Sequence, residues 1–205
     1  QEFETHLSLL TAFKLPLNYI NRTQAQLSAI ILGAWKQERD DEFNISIPDT
    51  LDIKKYKHIV DWYRDPFNMN YKKKLETEVA GVPHVFAWGG LHAAIDQYHG
   101  EGIFVNVDVS SYYPALMIEY DYLSRNVSDK TKYKEIRDTR LELKAEKNPM
   151  EQPYKLVLNT TYGAMKDKYN QLYDPLMANN VCVAGQLLLL DLIEHLEGHC
   201  QLIQS

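Results

Sequence analysis

Cysteine is scarce in this chain, and its two copies, Cys182 and Cys200, stand far apart in the sequence. Two such residues cannot build a disulfide framework or a four-cysteine zinc site, and they suit a reducing compartment. Net positive charge is also missing: 22 Lys and Arg face 28 Asp and Glu, for a formal charge of -6. The chain as a whole therefore has no pull toward nucleic acid, and any basic site must be local. No secretory leader is expected, because Gln1 to His6 carries no basic segment and the apolar run behind it is broken by Lys14 and Pro16. That points to a cytoplasmic protein. The most apolar stretch, VCVAGQLLLLDLIEHLE over 181–197, contains Gln186, Asp191 and Glu194. It is expected to be too short to span a bilayer, which predicts a buried helix and no membrane partner. Internal repeats and low-complexity tracts are absent too.

What is present is enough apolar material for a core: 45% of 205 residues are hydrophobic, which implies a globular protein. From Thr23, a plausible N-cap, the run TQAQLSAIILGAWKQ aligns Leu27, Ile30, Ile31, Ala34 and Trp35 on one helical stripe. Residues 38–80 mix charge, aromatics and prolines without a sustained period and predict short elements and irregular connections. The region 85–102, with its pair Gly89 and Gly90, predicts a hairpin or loop.

The segment IFVNVDV that follows alternates Ile103, Val105, Val107 and Val109 with Phe104, Asn106 and Asp108. Period-two alternation predicts a strand with one buried side and Asp108 on the other. Pro114 suits the first turn of a helix continuing through ALMIEYDYL, so Ser110 to Tyr113 form a strand-to-helix turn. Residues 130–148 are strongly helix-forming, NPMEQP punctuates them, and 154–165 predict a second helix running back as an antiparallel hairpin.

Two constellations carry chemistry. An aspartate at a strand end offers Mg²⁺ a hard oxygen ligand, and the turn behind it aims backbone N–H groups at a helix start, where phosphate is favoured. Asp108 could equally cap the turn, as strand-end aspartates often do. Lys155, Asn159, Tyr162 and Gly163 are spaced to share one helical face. That face offers a cation for phosphate, an amide for a nucleotide, an aromatic ring to cover a base pair and a gap for close approach. A solvated Lys155 and a core Tyr162 would fit the same spacing. Arg137, Arg140 and Lys144 form a basic face on the preceding helix, which the hairpin would bring alongside Lys155, although such faces are usually solvated and paired with their own Glu and Asp neighbours.

These residues resemble a known family. DVSSYYPA is similar to the first polymerase motif of family B DNA polymerases, DxxSLYPS, with Tyr112 for leucine and Ala115 for the last serine. KLVLNTTYGA is similar to their second motif, KxxxNSxYG, with Thr160 for serine. WGGLH resembles the glycine-pair segment between the exonuclease and polymerase parts. NNVCVAGQLLLL resembles the helix leading to the third motif, with Gln186 where arginine is common. The resemblance is to phage-type members, covers roughly residues 85–205 and is weak before them.

The resemblance implies an α/β (α+β) fold with a small palm-type sheet, packed helices and a helical finger hairpin. Residues 1–84 would connect to an upstream exonuclease part, 85–128 would carry palm and first motif, 129–165 the fingers and second motif, and 166–205 a palm helix and strand. It implies DNA-directed DNA synthesis from dNTPs on a primer–template, with two Mg²⁺ ions. Asp108 and the Val109 carbonyl would bind metal, and the Ser111 and Tyr112 amides the triphosphate. Tyr113 would be the steric gate against a ribose 2′-OH. Arg140, Lys144, Lys155 and Asn159 would grip phosphate, with Lys155 also catalytic, and Tyr162, Gly163, Gly89 and Gly90 would face base pair and template.

The family's third, DTD-type motif is not found, and HCQLIQS reads as the strand leading toward it. The chain is therefore expected to be a fragment, inactive without the exonuclease, thumb and third motif, and inclined to self-associate through exposed apolar surface. The short spacing from Asp108 to Arg140 leaves no room for the insertion of protein-primed members, which favours priming by a nucleic-acid end. Two rival readings are a zinc hydrolase on HLEGHC, whose Glu197 is misplaced for that chemistry, and a non-catalytic nucleic-acid or protein-binding module on a polymerase-like scaffold. A reverse transcriptase or RNA polymerase palm is opposed by Tyr113 and the spacing of the second motif.

Overall fold

The computed structural model describes residues 2–205. It is an α+β protein with, among the described residues, seven α-helices and one three-stranded antiparallel sheet of strand order β1-β2-β3. The chain divides into two compact units. Among the described residues the first comprises 2–42 and 113–178, the second 43–112 and 179–205.

The first unit is helical. Helix α1 spans Glu2–Ala12 and α2 spans Gln24–Leu32. The Thr23 hydroxyl accepts from the Gln26 N–H at 3.2 Å while the Gln26 side chain accepts from the Thr23 N–H at 3.0 Å. This reciprocal capping box starts α2 where the sequence places it. Its end comes earlier than the apolar stripe suggests. Gly33 turns left-handed at φ 63, so Trp35 leaves the helix and is 76% exposed, and Ile30 is also exposed. The apolar period continues past the glycine, but the backbone does not.

Helix α4 (Tyr112–Glu119) stops short of the expected Leu123, because Asp121 turns left-handed at φ 56. Helices α5 (Thr131–Ala145) and α6 (Glu151–Lys166) form the expected antiparallel hairpin. Buried Tyr133 ties them together by donating to the Leu158 carbonyl at 3.0 Å, and burial pushes its hydroxyl pKa upward. Helix α6 packs against α1, α2 and α5. The Ser28 and Thr160 hydroxyls meet at 2.6 Å across the contact with α2, and Phe13 lies 4.9 Å from the Tyr154 ring.

Arg125 links two non-helical stretches of this unit. Its guanidinium donates to both oxygens of Asp41, at 2.7 and 3.1 Å, and to both oxygens of Asp174, at 2.7 and 2.9 Å. The Asp174 side chain is fully buried, so this bidentate partner is what makes its charge tolerable there. Asp174, then Asp41, raise the Arg125 pKa, and Arg125 in turn lowers that of Asp41. Asn126 adds donors to the Gln171 and Tyr173 carbonyls at 2.9 and 2.8 Å.

The second unit holds the sheet. Strands β1 (Lys74–Val79) and β2 (Val82–Ala87) pair with Val79 opposite Val82. The two residues between them, Ala80 at φ 50 and Gly81 at φ 77, make the tight turn whose twist suits a hairpin. Strand β3 (Gly90–Ala93) returns from β2 across Trp88 and Gly89, so the hairpin expected around the glycine pair is present. Helix α3 (Lys57–Arg64) places Ile59, Val60 and Tyr63 in a core with Phe86, Trp88, Val183, Leu187 and Leu190. Gln186 is fixed in that core: the Tyr63 hydroxyl donates to it at 2.8 Å, and its amide donates to the Ala87 carbonyl at 2.9 Å. The carboxylate of Glu194 accepts from the backbone N–H groups of Lys54, Lys55 and Tyr56 at 2.8 to 3.2 Å, and so satisfies donors ahead of α3.

Helix α7 spans Pro175–Leu196, longer than the apolar stretch expected from sequence. By length and composition its 22 residues could cross a membrane, which corrects the expectation that the segment is too short. However, 72% of its most apolar window is buried inside the protein, as in a core helix. Beyond it, Gly198 turns left-handed at φ 92.

Two expected strands do not form. Residues 103–109 have no regular structure, and every residue from 101 to 110 is exposed, with Ile103 at 96%. A helix closes its own hydrogen bonds, whereas a strand needs a neighbour; among the described residues no strand pairs with this one. The C-terminal HCQLIQS is likewise not a strand, and carries isolated bridges from Cys200 to Glu197 and from Gln204 to Ala94.

Candidate functional site

In the second unit, the segment bearing Asp108 and Val109 is exposed on both its faces. The alternation that suggested a buried valine side is there in sequence, but it meets no packing surface. Ser111, at the turn that follows, lies left-handed at φ 53, a conformation that costs a residue with a Cβ about 1 to 2 kcal/mol. Backbone strain of this kind gathers at functional turns. Tyr112 is anchored in this unit: its hydroxyl donates to the Gly185 carbonyl at 2.6 Å. Gly89 and Gly90 lie at the β2–β3 turn and the start of β3.

Asp108 and the Val109 carbonyl offer oxygen ligands. Among the described residues, no group of three His, Cys, Asp or Glu side chains gathers to hold a metal ion. One carboxylate and one carbonyl leave most positions of an octahedral cation to be filled by ligands from elsewhere.

In the first unit, the face of α6 is laid out as its spacing predicts. Asn159 and Gly163 are exposed, and Lys155 and Tyr162 are half-buried. Tyr113, from the first motif, packs edge-on against Tyr162, with ring centroids 4.6 Å apart and an interplanar angle of 62°. On Tyr162 also rests Lys166, its Nζ 5.3 Å from the ring centroid. Gly163 is informative because a Cβ placed there would meet no atom within 4 Å. The protein's own packing therefore does not require a glycine, although one inside a helix costs about 1 kcal/mol relative to alanine. The helix keeps an open, flat place beside Tyr162.

The basic residues of α5 are not alike. Lys144 is exposed in the last turn, where a cation complements the helix dipole. Arg140 is buried, 8% exposed, and its Nε donates to Glu151 at 3.0 Å. Arg137 lies 3.6 Å from Glu119 and 2.9 Å from Asp138. Arg140 thus faces a carboxylate of α6 rather than open solvent. Sequence reasoning missed this partner, although Glu151 stands within the NPMEQP punctuation and in the first turn of α6. It also missed Ser28, which no motif marks, and the Arg125 network, whose acidic members lie far from it in sequence.

No family model, curated protein or solved structure matches the chain. The functional reading therefore rests on the residues themselves.

Proposed function

We propose that this chain carries the nucleotide-binding part of a DNA-directed DNA polymerase of the family B type. In this reading the α6 face receives an incoming dNTP: Lys155 and Lys144 meet the triphosphate as point charges, Asn159 hydrogen-bonds it, and Tyr162 lies under the nascent base pair. Gly163 lets that pair come close to the backbone, and Tyr113 is the steric gate. In the second unit, Asp108 and the Val109 carbonyl would hold Mg²⁺, which neutralises phosphate charge when bound. Ser111 and Tyr112 present their backbone N–H groups to phosphate. A primer–template is the second partner.

The observation that carries the reading is the contact of Tyr113 with Tyr162 beside the open Gly163. Two sequence patterns far apart in the chain bring their tyrosines together next to a glycine that the fold does not need. A binding module without catalysis remains the second reading, and it is favoured by the exposed position of Asp108.

Calorimetric titration of the chain with Mg·dATP separates the two. The polymerase reading expects saturable binding that falls at least about tenfold in Lys155→Ala, the loss of one charged phosphate contact. Primer–template binding without any nucleotide binding would support the module instead.

A further inference from the structure

Glu151 holds Arg140 in a specific way. One carboxylate oxygen, Oε2, accepts from Arg140 Nε at 3.0 Å, and the other, Oε1, accepts from the Gln152 side chain at 2.6 Å. Both partners of the ion pair are nearly enclosed, at 9% and 14% side-chain exposure. The pair bridges the two arms of the hairpin, because Arg140 comes from α5 and Glu151 from the first turn of α6. Along those arms Lys144 stands one helical turn beyond Arg140, and Lys155 one turn beyond Glu151.

A guanidinium binds a carboxylate and a phosphate with the same planar fork, and the two compete for it. We infer that Glu151 is a built-in competitor for the triphosphate. It holds Arg140 while no nucleotide is present and yields it, wholly or by sharing, when triphosphate reaches the hairpin. This inference rests on the reading of the α6 face as a dNTP site. Glu151 is a positioning residue in it: it acts through Arg140 and sets how tightly, and how selectively for polyphosphate, the hairpin binds. Gln152 keeps the carboxylate aimed at Arg140 by occupying its other oxygen. A purely structural ion pair would tie the two helices together, and its loss would leave nucleotide affinity unchanged or lower it. The two roles differ in sign, because removing a competitor strengthens binding while loosening a scaffold weakens it.

The test is a thermodynamic cycle on the whole chain, titrating Mg·dATP into the wild-type, Glu151→Gln, Arg140→Gln and doubly substituted proteins, with folding of each checked by circular dichroism. Glu151→Gln is expected to bind about tenfold tighter, Arg140→Gln more weakly than wild type, and the double variant like Arg140→Gln. Glu151→Asp keeps the charge but shortens its reach. It is expected to tighten binding by a smaller factor, and it keeps the test open should Glu151→Gln fail to fold. Unchanged or weaker binding by the folded Glu151 variants, with wild type and Lys155→Ala still differing, would overturn the competitor role alone and leave the dNTP site standing. Absence of Mg·dATP binding in every protein, wild type included, would overturn both.

Discussion

The two units put their candidate chemistry on different kinds of backbone. In the first, Lys155, Asn159, Tyr162 and Gly163 stand on a helix whose other side is packed against α1, α2 and α5. In the second, Asp108 and Val109 stand on a segment without regular structure, flanked by valines that are 41 to 79% exposed. The hairpin face is thus organised by its own helices, whereas the aspartate segment is held in its unit by an edge-on contact of Phe104 with Tyr98, ring centroids 5.9 Å apart, and by the turn that follows, where Tyr112 is tied to Gly185. Local hydrogen bonding accounts for the contrast. A helix needs only its own residues, and a strand needs a second one at its edge.

The largest expected effect breaks the first unit. Arg125→Ala leaves the Asp174 carboxylate buried without its guanidinium, and removal of one partner from a buried pair costs about 3 to 5 kcal/mol. Chemical denaturation should show this as a large fall in midpoint. Next, in the second unit, Tyr63→Phe removes the hydroxyl that satisfies Gln186. The expected loss is about 1 to 2 kcal/mol, read from the same denaturation curves. A smaller change comes from Thr23→Ala, which removes half of the capping box and should cost about 1 kcal/mol.

His84 gives a modest pH effect in the second unit. Burial depresses its pKa below the usual 6.5, against a backbone hydrogen bond to Val82 that raises it. The native state then holds fewer protons than the unfolded state just below pH 6.5. Stability is accordingly full above that pH and declines as the pH falls toward the depressed folded value. Melting temperatures measured between pH 7 and 5 should show the decline, and His84→Gln should reduce it. The smallest effect is the most diagnostic for the comparison. Val105→Lys should change stability by no more than about 0.5 kcal/mol, because Val105 is 79% exposed. A cost like that of a core valine would mean that the segment packs as a strand after all.

How much was legible in the sequence follows the same division. The capping box at Thr23, the hairpin of α5 and α6, the buried apolar helix and the glycine-pair hairpin could all be read, since each is set by residues close together in the chain. The face of α6 was legible because its spacing is helical. The strand at 103–109 was misread because alternation reports which side could be buried, not whether a partner exists. Trp35 was misplaced because Gly33 ends the helix while the apolar period runs on. The Arg125 network and the pairing of Arg140 with Glu151 were hidden, since they join residues by tertiary contact and carry no local signature. The membrane-length estimate for the apolar helix failed because α7 begins at Pro175, before the apolar run itself.

The measurement that tests the central claim most directly is discrimination between Mg·dATP and Mg·ATP by the intact chain, compared with Tyr113→Val. The account predicts that wild type binds the deoxynucleotide more tightly and that the substitution narrows the difference by raising affinity for ATP. Equal binding of both nucleotides by wild type, unaffected by the change at Tyr113, would contradict it.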